Sequence, residues 1–341
     1  MKKVLKSIIL KLMGFGTAFF RLFPPEISSH MALKSLKTLD TLRITLIQEK
    51  KYKDEIEVFG INFKNRLGLA AGLDKNGDYI NALGNLRFSF VELGTVTPKP
   101  QKGNMKPRLF RDHKNLSLLN RMGFNNKGVE YLVSNVKKVE THCNIAISIG
   151  KNFDTPNERA VDDYLFCLEK AYPVTHFITV NISSPNTKDL RSLQSPKALP
   201  NLLSALKQKQ HDLSKEFGYK PLLVKISPDE DQKEHLKEIS NILIALEIDG
   251  IIATNTSVDH KHKKGEGGIS GALLFKKSTK VLSIMRENLG TDFPIIASGG
   301  VTDIETYWEK INSGADLVQI YTGMIYRGPQ IIEEILNSIE Q

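Results

Sequence analysis

Cysteine is scarce in this sequence, because only Cys143 and Cys167 occur among 341 residues. Neither belongs to a Cys-x-x-Cys pair or to a Cys/His cluster, so a disulfide framework and a structural zinc site are excluded and no metal is expected. A reducing compartment follows. No tract is of low complexity, and a chain of this length can bury a large core, as one barrel domain or as two ordinary domains.

Acidic residues are absent from Met1–Phe23, a segment that carries four lysines and one arginine. The whole chain has a net charge of +9, which favours an anionic partner such as nucleic acid, membrane lipid or a small acidic substrate. Helix-turn-helix, zinc-finger and RNP spacings are all missing, so we expect no nucleic-acid partner.

The same N-terminal segment lacks a cleavage site and a long apolar run. Lys11 interrupts its apolar stretch, which is too short to span a bilayer. On a helical wheel its apolar and basic side chains fall on opposite sides, which predicts a helix lying in the membrane interface or, alternatively, packed on its own domain. Pro24 and Pro25 end this helix, and a second amphipathic stretch at Ile27–Ile47 completes a predicted helical hairpin.

An apolar run from Phe177 leads directly into uncharged hydroxyl and amide side chains at residues 181–187. Its β-branched and aromatic residues predict a buried strand that Pro185 stops. The polar residues that follow are Asn181, Ser183, Ser184, Asn186 and Thr187. They can grip a planar polar ring without adding charge, although an ordinary turn has a similar composition.

Eight short apolar runs alternate with segments of helical length and period. The predicted strands are Leu67–Ala70, Phe90–Leu93, Ile145–Ile149, Phe177–Ile182, Leu222–Ile226, Ile251–Thr254, Ile295–Ser298 and Leu317–Tyr321. This order predicts an α/β fold, a (β/α)8 TIM barrel with a small N-terminal helical extension. A doubly wound sheet is the alternative, but no G-x-G-x-x-G follows the first strand. We expect a helical segment at residues 1–50 and a barrel domain at residues 51–341.

Seven of these strands end in polar or glycine-rich strings, and in barrels such ends meet at the catalytic face. The last two ends, Ser298-Gly299-Gly300 and Thr322-Gly323, expose backbone N–H groups where barrels often hold a phosphate. Gly267, Gly268 and Gly271 extend this cradle. The pattern predicts a phosphate-bearing cofactor across the barrel mouth.

Ordered strings along the chain resemble the dihydroorotate dehydrogenase family from about Asn65 onward, and specifically its membrane-associated, quinone-using class 2. The strings are A-A-G-L-D-K-N-G (70–77), G-T-V-T-P-K-P-Q (94–101), P-R-L-F-R (107–111), N-R-M-G-F-N-N (120–126), I-G-K-N (149–152), N-I-S-S-P-N-T (181–187), A-T-N-T (253–256), G-G-I-S-G (267–271) and Q-I-Y-T-G (319–323).

The resemblance implies that FMN lies on the strand ends. The implied FMN contacts are Ala71, Gly72, Leu73, Asp74, Lys75, Thr95, Ser148, Asn181, Lys225, Thr254, Gly271, Gly300, Tyr321 and Thr322. Lys225 suits the flavin pyrimidine edge, because a fixed cation stabilises negative charge that develops on reduction. Ser148 stands where the family usually has an asparagine, so we expect a weaker grip on FMN.

The resemblance also implies a dihydroorotate site stacked on the flavin. The implied substrate contacts are Lys75, Asn120, Arg121, Met122, Gly123, Phe124, Asn181, Asn186, Asn255 and Thr256. Ser184 is expected to be the catalytic base, with Thr187 and a water as the relay for its proton. Class 1 enzymes carry cysteine at the base position, so serine favours class 2.

The expected reaction is oxidation of dihydroorotate to orotate, with the electrons passed through FMN to a membrane quinone in pyrimidine biosynthesis. Arg111 and Tyr326 are the expected quinone-site residues, with an ordinary core position as the alternative for Tyr326. His30 lies one residue out from a histidine common in the family. We expect a monomer in peripheral contact with an anionic membrane, on the cytoplasmic side of a bacterial cell membrane or, alternatively, at the mitochondrial inner membrane. Another FMN barrel oxidoreductase and a non-catalytic, membrane-tethered binding protein are the alternative functions.

Overall fold

The computed structural model describes residues 16–47, 54–229 and 231–339. The strands in these residues are β1 (Ile56–Val58), β2 (Ile61–Phe63), β3 (Leu67–Leu69), β4 (Phe90–Val96), β5 (Leu109–Asp112), β6 (Ser117–Asn120), β7 (Asn144–Ile149), β8 (Phe177–Asn181), β9 (Leu222–Ile226), β10 (Gly250–Ala253), β11 (Gly268–Gly271), β12 (Ile295–Ser298) and β13 (Leu317–Ile320). The α-helices are α1 (Pro25–Thr41), α2 (Ile80–Gly84), α3 (Val129–Val136), α4 (Ala160–Ala171), α5 (Ala198–Phe217), α6 (Lys233–Ala245), α7 (Phe275–Leu289), α8 (Ile304–Asn312), α9 (Thr322–Arg327) and α10 (Gln330–Ser338).

Eight parallel strands close into a barrel in the order β3, β4, β7, β8, β9, β10, β12, β13. Each predicted strand corresponds to one of these, and the ends differ by at most three residues. The predicted (β/α)8 fold is therefore confirmed. The short apolar runs located the strands correctly, because a strand that is buried on both faces is apolar along its length.

The barrel interior is apolar at its N-terminal end. Phe90, Phe177 and Leu317 point inward there, and the β1–β2 hairpin closes this end with Phe59 and Phe63. A Cβ on Gly68 would lie 2.2–2.5 Å from the Phe90 ring, so this strand position requires glycine. The sequence analysis did not predict the hairpin, whose strands are only three residues long.

The barrel interior becomes polar two residues further along most of the strands. Successive side chains of a strand alternate between its faces, so Glu92, Thr179, Lys225, Ser298 and Gln319 follow the inward apolar residues. The outward side chains of the same strands pack against the surrounding helices in the main hydrophobic core. The polar layer forms the floor of the barrel mouth.

A second, three-stranded antiparallel sheet of β5, β6 and β11 lies beside the mouth. Its register pairs Leu109 with Asn120 and Gly271 with Ser117. The sequence analysis did not predict these three strands. Their side chains contribute to both cavities described below.

Helix α1 confirms the second predicted amphipathic stretch, although it ends at Thr41 rather than near Ile47. It is attached to the barrel by Glu26, whose carboxylate accepts hydrogen bonds from Arg108 Nη2 at 3.0 Å and Nε at 3.1 Å. Residues 16–20 are helical, but most of the predicted helix at Met1–Phe23 lies outside the described residues. Among the described residues, no helix has both the length and the apolar character that a membrane crossing requires.

Candidate active site

A cavity of about 150 Å³ opens among the C-terminal ends of the barrel strands. We call it the mouth cavity. It is lined by most of the residues predicted for the cofactor and substrate sites: Ala71, Gly72, Lys75, Thr95, Asn120, Met122, Gly123, Phe124, Asn181, Ser184, Asn186, Lys225, Thr254, Asn255, Thr256, Gly271, Gly300, Tyr321 and Thr322. The barrel brings these residues together from seven strand ends and the small sheet.

Five predicted site residues lie outside this lining: Leu73, Asp74, Arg121, Ser148 and Thr187. The Asp74 carboxylate is buried and accepts hydrogen bonds from the N–H groups of Asp78 and Tyr79, at 2.9 and 2.7 Å, so it organises its own loop. Burial raises the pKa of this carboxyl. The Arg121 guanidinium donates to the carbonyl oxygens of Lys264 and Glu266.

Ser148 lies in the polar layer below Thr95. The Oγ atoms of these two residues are 2.8 Å apart, and Thr95 Oγ1 accepts a hydrogen bond from Asn181 Nδ2 at 2.8 Å. The Ser148 side chain is fully buried. It therefore orients Thr95, which does line the cavity.

A fully buried glutamate, Glu92, connects three strands under the cavity. Its Oε2 lies 3.6 Å from Lys225 Nζ and accepts hydrogen bonds from Gln319 Nε2 at 2.8 Å and from the Ala71 N–H at 3.1 Å. Sequence reasoning missed Glu92 and Gln319. Their position inside the apolar runs F-V-E-L and L-V-Q-I was the available signal, as it was for Lys225.

Asparagine side chains form a connected network in the cavity wall. Asn255 Nδ2 donates to Asn181 Oδ1 at 3.2 Å and to Ser183 Oγ at 3.1 Å. Asn186 Nδ2 donates to Asn120 Oδ1 at 2.9 Å, which joins the loop after β8 to the small sheet. These contacts hold the amides in fixed orientations for a polar ring.

The loop after β8 carries Ser184, whose side chain is 7% exposed. Ser184 Oγ accepts a hydrogen bond from the Asn186 N–H at 3.3 Å. Thr187 is also buried, and its Oγ1 has no hydrogen-bond partner among the described residues. That hydroxyl is therefore free to bind a water.

Arg191, which sequence reasoning missed, fastens this loop to the next strand end. Its guanidinium donates to the Ser183 carbonyl at 3.2 Å, to the Thr256 carbonyl at 2.8 Å and to the Asp229 carboxylate at 2.7 Å. Burial alone would raise the pKa of Asp229, but hydrogen bonds from Ser257, the Val258 N–H and the two neighbouring cations lower it to about 2. Asp229 is thus an anion at neutral pH.

Lys75 provides a cation at the cavity wall. Burial is the main cause that lowers the pKa of its ammonium to about 8, and repulsion from Arg108 acts in the same direction. Glu26 and Asp74 act weakly against this shift. A ligand carboxylate in the cavity would favour the charged form.

Another part of the cavity wall consists of backbone and hydroxyl groups of the last two strand ends and the small sheet. Gly299, Gly300 and Thr322 line it, and Thr322 Oγ1 lies 2.9 Å from Ser270 Oγ. A Cβ on Gly300 would lie 2.4 Å from Phe275 Cα, so the turn packs directly on the start of α7. Gln319 Oε1, an acceptor, has no hydrogen-bond partner among the residues that the structure describes. Together with it, the amides and Lys225, this set of donors and acceptors fits a polar ring that carries a phosphate.

A second, largely apolar cavity of about 590 Å³ lies between α1 and the barrel. Its wall includes Leu33, Leu36, Leu46, Leu73, Arg111 and Met324. It shares Leu109, Leu118 and Tyr321 with the mouth cavity, so the two spaces meet at these side chains.

Of the residues considered for a quinone site, Arg111 lines this apolar cavity, whereas Tyr326 and His30 do not. Arg111 lines it, and its Nη1 donates to the Phe23 carbonyl at 2.7 Å. Tyr326 is buried outside the lining, and its hydroxyl donates to the Ser117 carbonyl at 2.9 Å. His30 is exposed and also lies outside the lining, whereas its neighbour Ser29 belongs to it.

Comparison with known proteins gives consistent similarities. The family model described as dihydroorotate dehydrogenase matches residues 54–341. A protein named dihydroorotate dehydrogenase (quinone) from Aliivibrio salmonicida is 47% identical over 322 residues, covering 92% of this chain and 96% of that protein. One of the same name from Buchnera aphidicola is 48% identical over 327 residues, covering 93% and 97%. The crystal structure of DHODH from Eimeria tenella in complex with ferulenol superposes with a TM-score of 0.84 at 33% identity, covering 92% of this chain and 90% of that one.

Proposed function

The chain belongs to the dihydroorotate dehydrogenase family, and we propose that it oxidises dihydroorotate to orotate through bound FMN and passes the electrons to a membrane quinone. The observation that carries the proposal is the meeting of two unlike cavities. A polar cavity suited to an anionic ring adjoins an apolar one suited to a lipid-soluble ring, and Leu109, Leu118 and Tyr321 belong to both walls.

The cofactor residues proposed are those that line the mouth cavity at the strand ends. When bound, FMN supplies a two-electron acceptor that a quinone can reoxidise. Lys225, held by Glu92, supplies a fixed positive charge beside the amide network. The Gly299–Gly300 turn and Thr322 are proposed to receive the phosphate.

The substrate residues proposed are Lys75 and the asparagines of the cavity wall. Protonated Lys75 pairs with the carboxylate of dihydroorotate, and the amides of Asn120, Asn186 and Asn255 match the N–H and C=O edges of its ring. Asn186 is already hydrogen-bonded to Asn120, and Asn255 to Asn181 and Ser183, so these amides require little reorganisation when the ring binds.

Ser184 is proposed as the base that removes the proton from C5 of the substrate. The Asn186 N–H, which already donates to Ser184 Oγ, would stabilise negative charge that develops on this oxygen. Thr187 is proposed as the next group in the proton relay. Its Oγ1 is buried and has no hydrogen-bond partner in the described part of the chain, so it can hold the water that such a relay needs.

The N-terminal helices are proposed to form a peripheral membrane contact and quinone entry at about residues 1–50. Large apolar side chains are exposed here, with Phe19 at 52%, Leu22 at 81% and Leu42 at 63%. Such side chains, next to the basic residues of the segment, suit an interface with anionic lipid. We propose that the protein is a monomer on the cytoplasmic side of a bacterial cell membrane, with Arg111 in the wall of the quinone site and Tyr326 as a buried support behind it.

The proposal is tested by following dihydroorotate-dependent quinone reduction in the full chain, in a deletion of Met1–Phe23 and in Ser184→Ala. We expect the deletion to cripple quinone turnover but to spare flavin reduction, because it removes part of the apolar cavity wall and leaves the mouth cavity complete. Ser184→Ala should slow flavin reduction by roughly 10²- to 10⁴-fold, the usual contribution of a general base.

Ser204, which is exposed on α5, provides the control, and Ser204→Ala should behave as the wild type. Flavin reduction at the normal rate in Ser184→Ala would show that the base is another group. Equal loss of quinone turnover and flavin reduction in the deletion would contradict the division of the two half-reactions between the two cavities.

A further inference from the structure

Lys310, on α8, is a fully buried lysine outside the site described so far. Its Nζ donates to Ser278 Oγ at 2.7 Å and lies 5.0 Å from the centre of the Phe275 ring. None of the ion pairs among the described residues includes Lys310. A buried ammonium without a countercharge costs stability, so its retention calls for an anion beyond those that the described residues supply.

A short hydrogen-bonded connection joins Lys310 to the mouth cavity. Ser278 Oγ, which accepts from Lys310, donates to the Gly299 carbonyl at 2.8 Å. In a trans peptide the C=O and the following N–H point in opposite directions, so this bond turns the Gly300 N–H away from Ser278. Gly299 and Gly300 both line the cavity.

The same end of the cavity lies at the positive end of a helix dipole. The Gly300 turn packs on Phe275, the first residue of the 15-residue helix α7. The partial positive charge of a helix N-terminus and the Lys310 ammonium therefore act on the same end of the cavity. Both favour an anion there.

The titration of Lys310 agrees with this arrangement. Burial lowers the pKa of its ammonium to about 7, and Glu309, its chain neighbour, acts weakly against the shift. The other groups that face Nζ, Ser278 and Phe275 on α7, carry no charge. A dianion at the Gly299–Gly300 turn would raise this pKa.

We propose that Lys310 is the buried countercharge of the cofactor phosphate and that, through Ser278, it holds the Gly299–Gly300 turn in its phosphate-binding orientation. This role rests on the proposed binding of FMN. Lys310 is a positioning residue, because Ser278 and the turn stand between its ammonium and the cavity.

A consequence for pH dependence follows from the direction of the shift. Below about pH 7 Lys310 is charged in both the free and the FMN-bound protein, so affinity for FMN is highest there. Above that pH the free protein loses the proton, whereas the bound protein keeps it, and binding must take up a proton. The dissociation constant should then rise by up to tenfold for each pH unit until the pKa of the complex is reached.

The experiment dilutes the holoenzyme and measures released FMN by its fluorescence between pH 6 and pH 9. We expect Lys310→Met to release FMN at about tenfold lower dilution at pH 7, because a change of one pKa unit on FMN binding corresponds to a tenfold change in affinity. The dissociation constant of this variant should also lack the wild-type dependence on pH. Exchange against riboflavin, which lacks the phosphate, should be much less affected. Exposed Lys276, at the same end of α7, provides the matched control, and Lys276→Met should keep the wild-type slope.

A second variant keeps the proposal testable if Lys310→Met does not fold. Ser278→Ala keeps the lysine but removes the hydroxyl between it and the Gly299 carbonyl, and should weaken FMN retention while preserving the pH slope. An unchanged slope in Lys310→Met, or an equal loss of FMN and riboflavin, would overturn the assignment of Lys310. A wild-type protein that holds no flavin would instead overturn the proposed function.

Discussion

At the scale of single residues, Lys75 shows how burial adapts a side chain to bind an anion. Its pKa of about 8 means that the free cavity holds a cation at neutral pH but loses it in mildly alkaline solution. A carboxylate ligand recovers the interaction that the desolvated ammonium lacks. The charge of Lys75 is thus available in the free cavity up to about pH 8.

Orotate affinity should fall as the pH rises above 8, because the form of Lys75 that binds the carboxylate is then lost from the free protein. Lys75→Met should weaken orotate binding by roughly 10- to 100-fold, the range for a hydrogen bond to a charged group, and should remove this pH step. Titration of the holoenzyme with orotate, followed by the flavin absorbance, measures both effects.

Exposed Lys138 serves as the control for this experiment, since Lys138→Met removes the same charge far from the cavity lining. An alkaline step that persists in Lys75→Met would assign the titration to another group.

At the scale of elements, the loop after β8 depends on Arg191 for its position. The guanidinium holds the carbonyl of Ser183, next to the proposed base, and the carbonyl of Thr256, on the loop after β10. Asp229 in turn holds the guanidinium and is shared with Lys277 at 2.9 Å. Two catalytic loops are therefore fastened by one planar cation, which a lysine cannot replace in full.

Arg191→Met should slow flavin reduction by dihydroorotate by about 10- to 100-fold, because a displacement of about 1 Å at a reacting group costs this much. Arg191→Lys should recover part of the rate, since it keeps the charge but not all three contacts. The rate at which quinone reoxidises the flavin should be unchanged, because Arg191 lies outside the lining of the apolar cavity. Rapid-mixing measurements separate the two steps.

Arg159→Met is the control, because Arg159 is exposed and pairs only with Asp162 three residues away among the described residues. Equal slowing of both half-reactions in Arg191→Met would indicate general disorder of the barrel rather than misplacement of the loop.

At the scale of the whole molecule, stability and function lie at opposite ends of the barrel. The N-terminal end is filled by Phe59, Phe63, Phe90 and Phe177, whose rings pack edge to face or tilted. The C-terminal end carries polar side chains, buried charges and cavities. The division follows from the inward-facing positions, which are two residues apart on each strand and change from apolar to polar toward the C-terminal end.

Phe63→Ala should reduce the free energy of unfolding by about 3–5 kcal/mol, because it leaves a cavity among packed rings at the closed end. Turnover below the unfolding temperature should remain close to that of the wild type. Denaturant titration and a dihydroorotate assay at low temperature measure the two quantities.

Phe153→Ala is the matched control, since Phe153 is 49% exposed and should contribute little to stability. Loss of turnover in a Phe63→Ala protein whose circular dichroism remains native would contradict the separation of the two ends.

Much of the site was predictable where polar residues ended an apolar run. Asn181, Lys225 and Thr254 belong to that group, and all three line the mouth cavity. Arg191 and Ser278 were not predictable, because each lies in an ordinary helical or loop segment and acts on a carbonyl distant in sequence. Thr187 and Ser148 were selected from motifs, yet they lie behind the cavity lining.

The sequence by itself determined the barrel, because eight apolar runs of strand length alternating with helical segments admit few other packings. It also determined the chemistry at the strand ends, since parallel strands bring their C-terminal ends to one face. Only the tertiary structure decided which side chains meet across the barrel: that Glu92 holds Lys225 and Gln319, that α1 and the small sheet enclose an apolar cavity against the mouth, and that Lys310 lies behind the Gly299–Gly300 turn. These contacts join residues far apart in the chain, and their distances depend on closure of the barrel and on helix packing, which local sequence patterns do not encode.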